Sequence, residues 1–349
     1  MLLARERVSA VRAIERLAGL QAQQARPPFV ALWSRLEKFR REELAKVIAS
    51  REVVRATMQR GTLHLASARD YLRLRGALQP GLTQGLRAIL RARADALDFA
   101  AIAREARSFF GRQPRPFDEF RDHLAARGSA DDVRAHAYAA RLTVPLVQVP
   151  DDSAWCYPAA AAFALADGWL GKPPSTDEDA RELVRGYLAA FGPASVADAQ
   201  AWAGVGGLAP TFERLRPGLR TFRDEKRREL FDLPDAPRPD EATPAPARFV
   251  PEFDNLVLAW TDRSRLMTEE HRKRIVTKNL QVLATLLVDG RVAGTWTIER
   301  AAKAATLVIA PFGPLPAVVR RELESEGAAL LAFSEPEAGR RELRFEKPR

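Results

Sequence analysis

The chain has 349 residues, 46% of them hydrophobic, and a net charge of +10. That length suggests roughly two or three domains, and no apolar run of about 18 residues is present to span a membrane. Cys156 is the only cysteine and His64, His123, His136 and His271 are scattered, which excludes a disulfide framework and a zinc cluster and calls for neither metal nor cofactor. Met1 to Glu6 is charged at once and shows no apolar signal region, so a reducing cytoplasm is the expected setting.

The charge is unevenly spread. Residues 1–150 hold 27 Lys and Arg against 15 Asp and Glu, while residues 151–349 hold 28 against 30. Between Arg51 and Arg93 stand nine arginines and only two acids, Glu52 and Asp70. A polyanionic partner follows, nucleic acid first among them. The alternative is an arginine-rich composition carried on solvated faces.

Taken in order, Val8, Val11, Ile14, Leu17 and Leu20 recur every three residues, an apolar helical stripe. The helix must stop before Pro27, because a residue preceding proline leaves the helical region. Phe29 to Leu36 and Arg41 to Ser50 read as helices, and Val53 to Leu65 as a hairpin. Ser67 to Arg75, Leu78 to Ala94, Phe99 to Phe110, Arg115 to Arg127 and Asp131 to Leu142 read as helices. Val144 to Val149 and Ala154 to Tyr157 read as a second hairpin. Asp177 to Phe191, Val196 to Ala203 and Pro210 to Arg216 are three further helices, followed by a hairpin, Leu219 to Arg223 with Arg228 to Leu233. Helix, turn, helix, loop, helix and wing in that order is a winged-helix signature. After the Pro- and Ala-rich stretch Pro234 to Ala247 the chain turns β-rich. Strands are expected at Phe249 to Pro251, Leu256 to Trp260, Thr285 to Asp289, Arg291 to Thr297, Ala305 to Ile309 and near Glu342 to Phe345. Asp289-Gly290 is a hairpin turn. Helices are expected at Thr268 to Arg274 and Pro316 to Phe333.

The most informative stretch is Leu20-Gln21-Ala22-Gln23-Gln24, between an apolar helix and Pro27-Pro28. On a helix Gln21 and Gln23 would point about 200° apart; in an extended segment they would share a face. A glutamine amide carries no charge, one acceptor and two donors. It cannot serve as an effective general base near neutral pH. It can aim a water, or present its carbonyl dipole to a developing positive charge. Such a pair suits a reaction with a good leaving group and a cation-like transition state. Glutamines at a helix end can equally cap backbone groups or face water.

Four pieces together carry a resemblance: Leu20-Gln21-Ala22-Gln23; Arg60-Gly61-Thr62-Leu63-His64-Leu65; Phe253-Asp254-Asn255 with Asp262-Arg263-Ser264-Arg265; and Val288 to Trp296. The chain resembles the AlkZ-like (YcaQ-related) bacterial winged-helix DNA glycosylases over nearly its whole length. The resemblance implies an α+β fold of tandem winged-helix (helix-turn-helix) domains with a C-terminal β-barrel-like domain, around a concave, basic DNA channel. The expected boundaries are 1–75, 76–170 and 171–235 for three winged helices and 236–349 for the barrel-like part.

It also implies hydrolysis of the N-glycosidic bond of N7-alkylated purines in double-stranded DNA, bulky or interstrand-crosslink adducts included. The family's Gln-x-Gln motif falls on Gln21 and Gln23, the implied catalytic pair. A related branch carries Asp at the second position, and this chain does not. DNA contacts are implied at Arg60, Thr62, His64, Asp254 and Asn255, and in a basic cluster of Arg263, Arg265, Arg272, Arg274, Lys273 and Lys278. With no lysine beside the glutamines, a monofunctional enzyme is expected, a nucleoid-associated cytoplasmic monomer. The alternative is a non-catalytic winged-helix transcriptional regulator, which would dimerise on paired half-sites and has no use for two amides at an unwound helix end.

Overall fold

The computed structural model describes residues 1–128 and 132–348. In chain order the elements are α1 (Ala10–Arg16), β1 (Leu20–Gln21), α2 (Pro27–Trp33), α3 (Arg41–Ala49), β2 (Val53–Thr57), β3 (Leu63–Ser67), α4 (Ala68–Leu90), α5 (Phe99–Phe110), β4 (Arg115–Pro116), α6 (Phe117–Ala126), α7 (Val133–Thr143), β5 (Leu146–Gln148) and β6 (Ala162–Leu165). There follow α8 (Ala166–Leu170), α9 (Arg181–Phe191), α10 (Val196–Ala203), α11 (Ala209–Leu215), β7 (Arg220–Arg223), β8 (Glu229–Asp232), β9 (Arg248–Val250), α12 (Asn255–Leu258), α13 (Glu269–Ile275), β10 (Thr285–Val288), β11 (Arg291–Ala301), β12 (Ala304–Pro311), α14 (Ala317–Ser334) and β13 (Arg340–Phe345). No described helix is long and apolar enough to cross a membrane.

These elements fall into two compact units. One holds Ala10–Ala25 and Leu44–Ala236; the other holds Met1–Ser9, Arg26–Glu43 and Pro237–Arg349. The division differs from the expected one, because a single sheet runs through what reads as two successive domains. Its strand order is β1-β3-β2-β5-β6-β4, with Arg55 of β2 opposite Gln148 of β5. Helices α4 to α7 cover it with a core that includes Leu86, Phe110, Phe120, Leu124 and Leu142.

Ser67 starts α4 by accepting a hydrogen bond from the Asp70 N–H at 3.1 Å, as an N-cap serine does. The sequence suggests a break at Gly76 and Ala77, between two helices, but α4 runs through it unbroken and on through Pro80. Gly76 and Gly81 are there for close approach. A Cβ on either would lie 2.3 Å from the Asp177 carbonyl oxygen or 2.1 Å from that of Gly204. The second expected hairpin is also different. β5 pairs with β6, while Ala154 to Tyr157 lies in the intervening loop, where Cys156 takes φ 64. The start of the helix expected at Asp131 lies outside the described residues. Helices α9 to α11 and the β7–β8 pair stand in the expected order, and a Ser195–Asp198 capping box opens α10.

The other unit is built on a five-stranded sheet, β13-β12-β11-β10-β9. Among the described residues β9 and β13 do not pair, so this sheet is open and not a closed barrel. β13 runs parallel to β12, which requires a crossover, and α14 supplies it. The strand expected at Leu256 to Trp260 is instead the short helix α12. Asp254 caps it, accepting from the Leu256 N–H at 3.0 Å. The same carboxylate grips Arg35 through two hydrogen bonds of 2.9 and 2.8 Å, with side chains 4% and 1% exposed. Asn255 beside it is buried as well.

Removing one partner of a buried, bidentate ion pair strands the other charge. Asp254→Ala is therefore expected to lower the stability of the protein by about 3–5 kcal/mol, read by urea unfolding. A loss below about 1 kcal/mol would show that water solvates Arg35 there.

Candidate active site

The glutamine stretch is set by what ends α1. Gly19 N–H donates to the Ile14 carbonyl at 2.9 Å, and Ala18 and Gly19 take φ 52 and 92. A Cβ on Gly19 would sit 3.3 Å from the Leu65 carbonyl oxygen, so glycine suits this corner on both counts. The chain then runs along β3, with Leu20 opposite Leu65 and Gln21 opposite His64. Ala22 N–H continues the ladder to the Leu63 carbonyl at 2.7 Å.

At Gln23 a side chain takes over from the backbone. Its Oε1 accepts the Leu63 N–H at 2.9 Å, where the next strand carbonyl would otherwise stand. Arg55 holds the same two residues from β2. Its Nε donates to the Ala22 carbonyl at 2.8 Å and Nη2 to the Gln23 carbonyl at 3.1 Å. Arg55 is buried and lies 5.1 Å from the Tyr157 ring centroid. Burial pushes its guanidinium down to about 10, and nearby Arg141 adds to the push; it stays charged at neutral pH.

The two glutamines therefore part company. Gln21 stands in the cross-strand row of His64, Ala56 and Val147. Leu65, Arg55, Gln148 and Phe163 form the next row, and successive rows face opposite sides of a sheet. Gln21 is buried, and its Oε1 accepts from Arg60 Nη2 at 2.7 Å. Gln23 is exposed, and the chain bends there. It lines a cavity of about 620 Å³ with Gln24, Arg55, Arg141, Gln148 and Tyr157. The extended segment ends one residue too early for Gln21 and Gln23 to share a face, and Gln24 is not turned away from Gln23.

Arg60 sits at the apex of the β2–β3 hairpin with φ 56. Besides Gln21 it donates to the Trp202 carbonyl. Thr62 donates its hydroxyl to the Gln59 carbonyl at 3.1 Å. His64 is 1% exposed, its Nδ1 3.1 Å from the Thr62 carbonyl. Burial first, and Arg60 second, push its imidazole down to about 3, so it is neutral. Thus Arg60 is half-buried against the glutamine strand, and His64 lies in the interior.

In the other unit, Asp254 and Asn255 face inward as described. Arg263 is half-buried beside Arg272 and donates to the Trp260 carbonyl at 3.4 Å. Arg265 lies 4.7 Å from the Trp260 ring centroid, and Arg274 lies 3.9 Å from that of Phe312. Arg272 pairs with Glu269 at 2.5 Å. Lys273 and Lys278 are exposed. Most arginines between 51 and 93 are spent inside their own unit. Arg69 pairs with Glu15, Arg73 with Glu182 and Arg93 with Asp132, and Arg75 donates to the Leu142 carbonyl. A basic cleft of about 520 Å³ lies instead between α5 and α6, with Arg104, Arg112, Arg115 and Arg127 on its walls. No group of His, Cys, Asp or Glu among the described residues could hold a metal.

The residues that sequence reasoning missed are Arg55, Arg141, Gln148 and Tyr157. Only Arg55 left a trace, as a charge inside an otherwise apolar strand between Val54 and Ala56.

The mixed α+β fold is shared with a known class of DNA repair enzyme. The solved structure of the DNA glycosylase AlkZ of Streptomyces sahachiroi superimposes with a TM-score of 0.81, covering 99% of this chain and 95% of that one at 22% identity. A family model described as DNA glycosylase AlkZ-like matches residues 14–333. The chain belongs to the AlkZ-like DNA glycosylase family. An interstrand DNA cross-link repair glycosylase of the same organism is 27% identical over 168 residues, which span 45% of this chain and 43% of that relative.

The neutral, buried His64 has a consequence for acid stability. Its folded pKa lies below its unfolded value near 6.5, so its contribution is full above about 6.5 and is lost as pH falls toward about 3. At pH 5 the loss is about 2 kcal/mol. His64→Leu is expected to flatten this limb in urea titrations at pH 7 and pH 5. An unchanged limb would mean that His64 is protonated in the fold.

Proposed function

We propose that the protein is a monofunctional glycosylase that hydrolyses the N-glycosidic bond of N7-alkylated purines in duplex DNA, bulky and crosslinking adducts included. The observation that carries this reading is Gln23: an exposed amide whose oxygen is locked onto the Leu63 N–H at the lip of a large cavity. A locked, uncharged amide is what an assisted hydrolysis with a good leaving group requires. An N7-alkylated purine is already cationic. When the bond to C1′ breaks, the electron pair goes to the base and leaves it neutral. The sugar becomes an oxocarbenium ion, water adds to C1′, and its proton passes to solvent.

Gln23 holds that water through its N–H₂ and the remaining lone pair of its oxygen. Gln21 has another part. Its oxygen already accepts from a guanidinium, and a second cation about 5 Å from that charge would meet roughly 3 kcal/mol of repulsion at an effective dielectric of 20. Gln21 instead positions Arg60 at the hairpin apex. A neutral, undamaged base would need protonation; the one acid on the described lining of the cavity, Asp118, is paired with Arg121, which makes leaving-group quality the basis of selectivity. The order of α9, α10, α11, β7 and β8 supports a winged helix there. The protein acts without a cofactor, as a monomer in the cytoplasm. Family membership does not favour the reading as a transcriptional regulator.

Gln23→Ala is expected to slow release of N7-methylguanine by roughly 10–1000-fold, with stability lowered by about 1 kcal/mol because the Leu63 N–H loses its acceptor. Gln21→Ala should slow it too, and should destabilise by about 1–3 kcal/mol, because Arg60 loses its acceptor. The losses should multiply in the double variant, as for groups that act separately. An assay of abasic sites in duplex DNA carrying N7-methylguanine reads both. Full activity of Gln23→Ala would remove the amide from the mechanism.

Duplex affinity should also fall steeply with salt and vary little with sequence, because phosphate contacts dominate. Filter binding from low to moderate salt checks this, and a preference for one palindrome would speak against it.

A further inference from the structure

The cavity beside Gln23 contains two polar side chains that the fold leaves unsatisfied. Gln148 is 7% exposed, and its Oε1 finds no hydrogen-bond partner among the described residues. Arg141, in the last turn of α7, is partly buried with its Cζ 6.0 Å from the Phe163 ring centroid. Its Nε has no partner either, and no carboxylate pairs with it among the described residues. Arg55 shares the cavity wall, but its Nε and Nη2 are committed to the Ala22 and Gln23 carbonyls. The one acid on the lining, Asp118, is spent on Arg121 at the surface.

A guanidinium drawn out of water without a counter-charge is costly, and burial lowers the pKa of both Arg55 and Arg141. Arg55 is retained for the two carbonyls it holds, but Arg141 beside it has no such task among the described residues, and a negative charge brought from outside would supply one. The occupant is not the damaged base, which would add a third positive charge. It is an anion with several acceptor oxygens, and the cavity of about 620 Å³ is far roomier than such a group alone requires.

We propose that Arg141 and Gln148 form a subsite for a phosphodiester of the DNA strand, adjoining the nucleotide that Gln23 acts upon. The inference rests on the reading of Gln23 as the hydrolytic residue, but binding can be tested without excision. The phosphate, held by Arg141 in the fork geometry that guanidinium groups offer phosphate oxygens, fixes the register of the strand over the glutamine. Gln148 adds a neutral hydrogen bond by donating from its Nε2; its unpartnered Oε1 only accepts, as the phosphate oxygens do, and takes no part.

The test measures the affinity of an undamaged 20-base-pair duplex over a range of KCl concentrations, by fluorescence anisotropy. Arg141→Met should weaken binding about 5- to 20-fold at low salt and reduce the slope of log K against log salt by about 0.9, the value for one phosphate. Its melting temperature should be unchanged or higher, since an uncompensated charge is gone. Arg141→Lys should restore the slope. Gln148→Leu should weaken binding without changing the slope. An unchanged affinity and slope in Arg141→Met overturns the subsite, whether or not the wild type excises N7-methylguanine. A loss confined to duplexes carrying N7-methylguanine would mean that the cavity reads the base, and overturns it equally. Inorganic phosphate that raises the melting temperature of wild type but not of Arg141→Met, with duplex binding unaffected, would mark a site for small anions and not for DNA. Absence of excision alongside the expected change in slope would remove the reading of Gln23 and leave the subsite standing.

Discussion

The geometry of the glutamine strand depends on one buried guanidinium. β1 is two residues long and lies at the edge of its sheet, where backbone groups lack a partner on one side. A strand that short has little of its own to hold it. Arg55 supplies the missing donors by reaching from β2 to the Ala22 and Gln23 carbonyls. With the ring of Tyr157 against it and no acid partner among the described residues, those carbonyls are its main acceptors. The bend at Gln23, the exposure of its amide and the shape of the cavity all follow from where this group holds the chain.

A second constraint is the hairpin between β2 and β3. Its apex must place Arg60 in the left-handed region, and Gly204 packs against it so closely that a Cβ there would lie 2.9 Å from the Arg60 Cα. The glutamine strand, the hairpin and the start of the α10–α11 connection are thus fixed against one another. In the other unit the Arg35–Asp254 pair has a comparable role. It ties α2 to the cap of α12, which explains why residues 26–43 belong with the C-terminal sheet and not with their sequence neighbours.

Much of this was legible in the residues. Helical periodicity and the Asp289-Gly290 turn are local signals, and the helices at Val196–Ala203 and Glu269–Ile275 and the β10–β11 hairpin stand where expected. The Gln-x-Gln motif and its companions pointed to the family. The failures share one cause, contacts made far along the chain. Nothing near Gly76 announces that the Asp177 backbone will press on it, so its glycine reads as a break. Leu256 to Trp260 is apolar enough for a strand, and only the Asp254 cap makes it helical. The phase of Gln21 and Gln23 failed because the strand ends at a position set by Arg55, 32 residues beyond Gln23. Basic composition pointed to nucleic acid, as the family does, but it counts arginines without saying which are consumed by Glu15, Glu182 and Asp132.

A side chain that replaces a backbone carbonyl in a ladder has its torsions chosen when the protein folds. A free glutamine loses up to about 2 kcal/mol of rotamer entropy on being fixed in one position. Gln23 bears that loss during folding, through its bond to Leu63, before any ligand arrives. On the proposed reading, its amide meets an incoming substrate already stilled, and none of the binding free energy is diverted to ordering it.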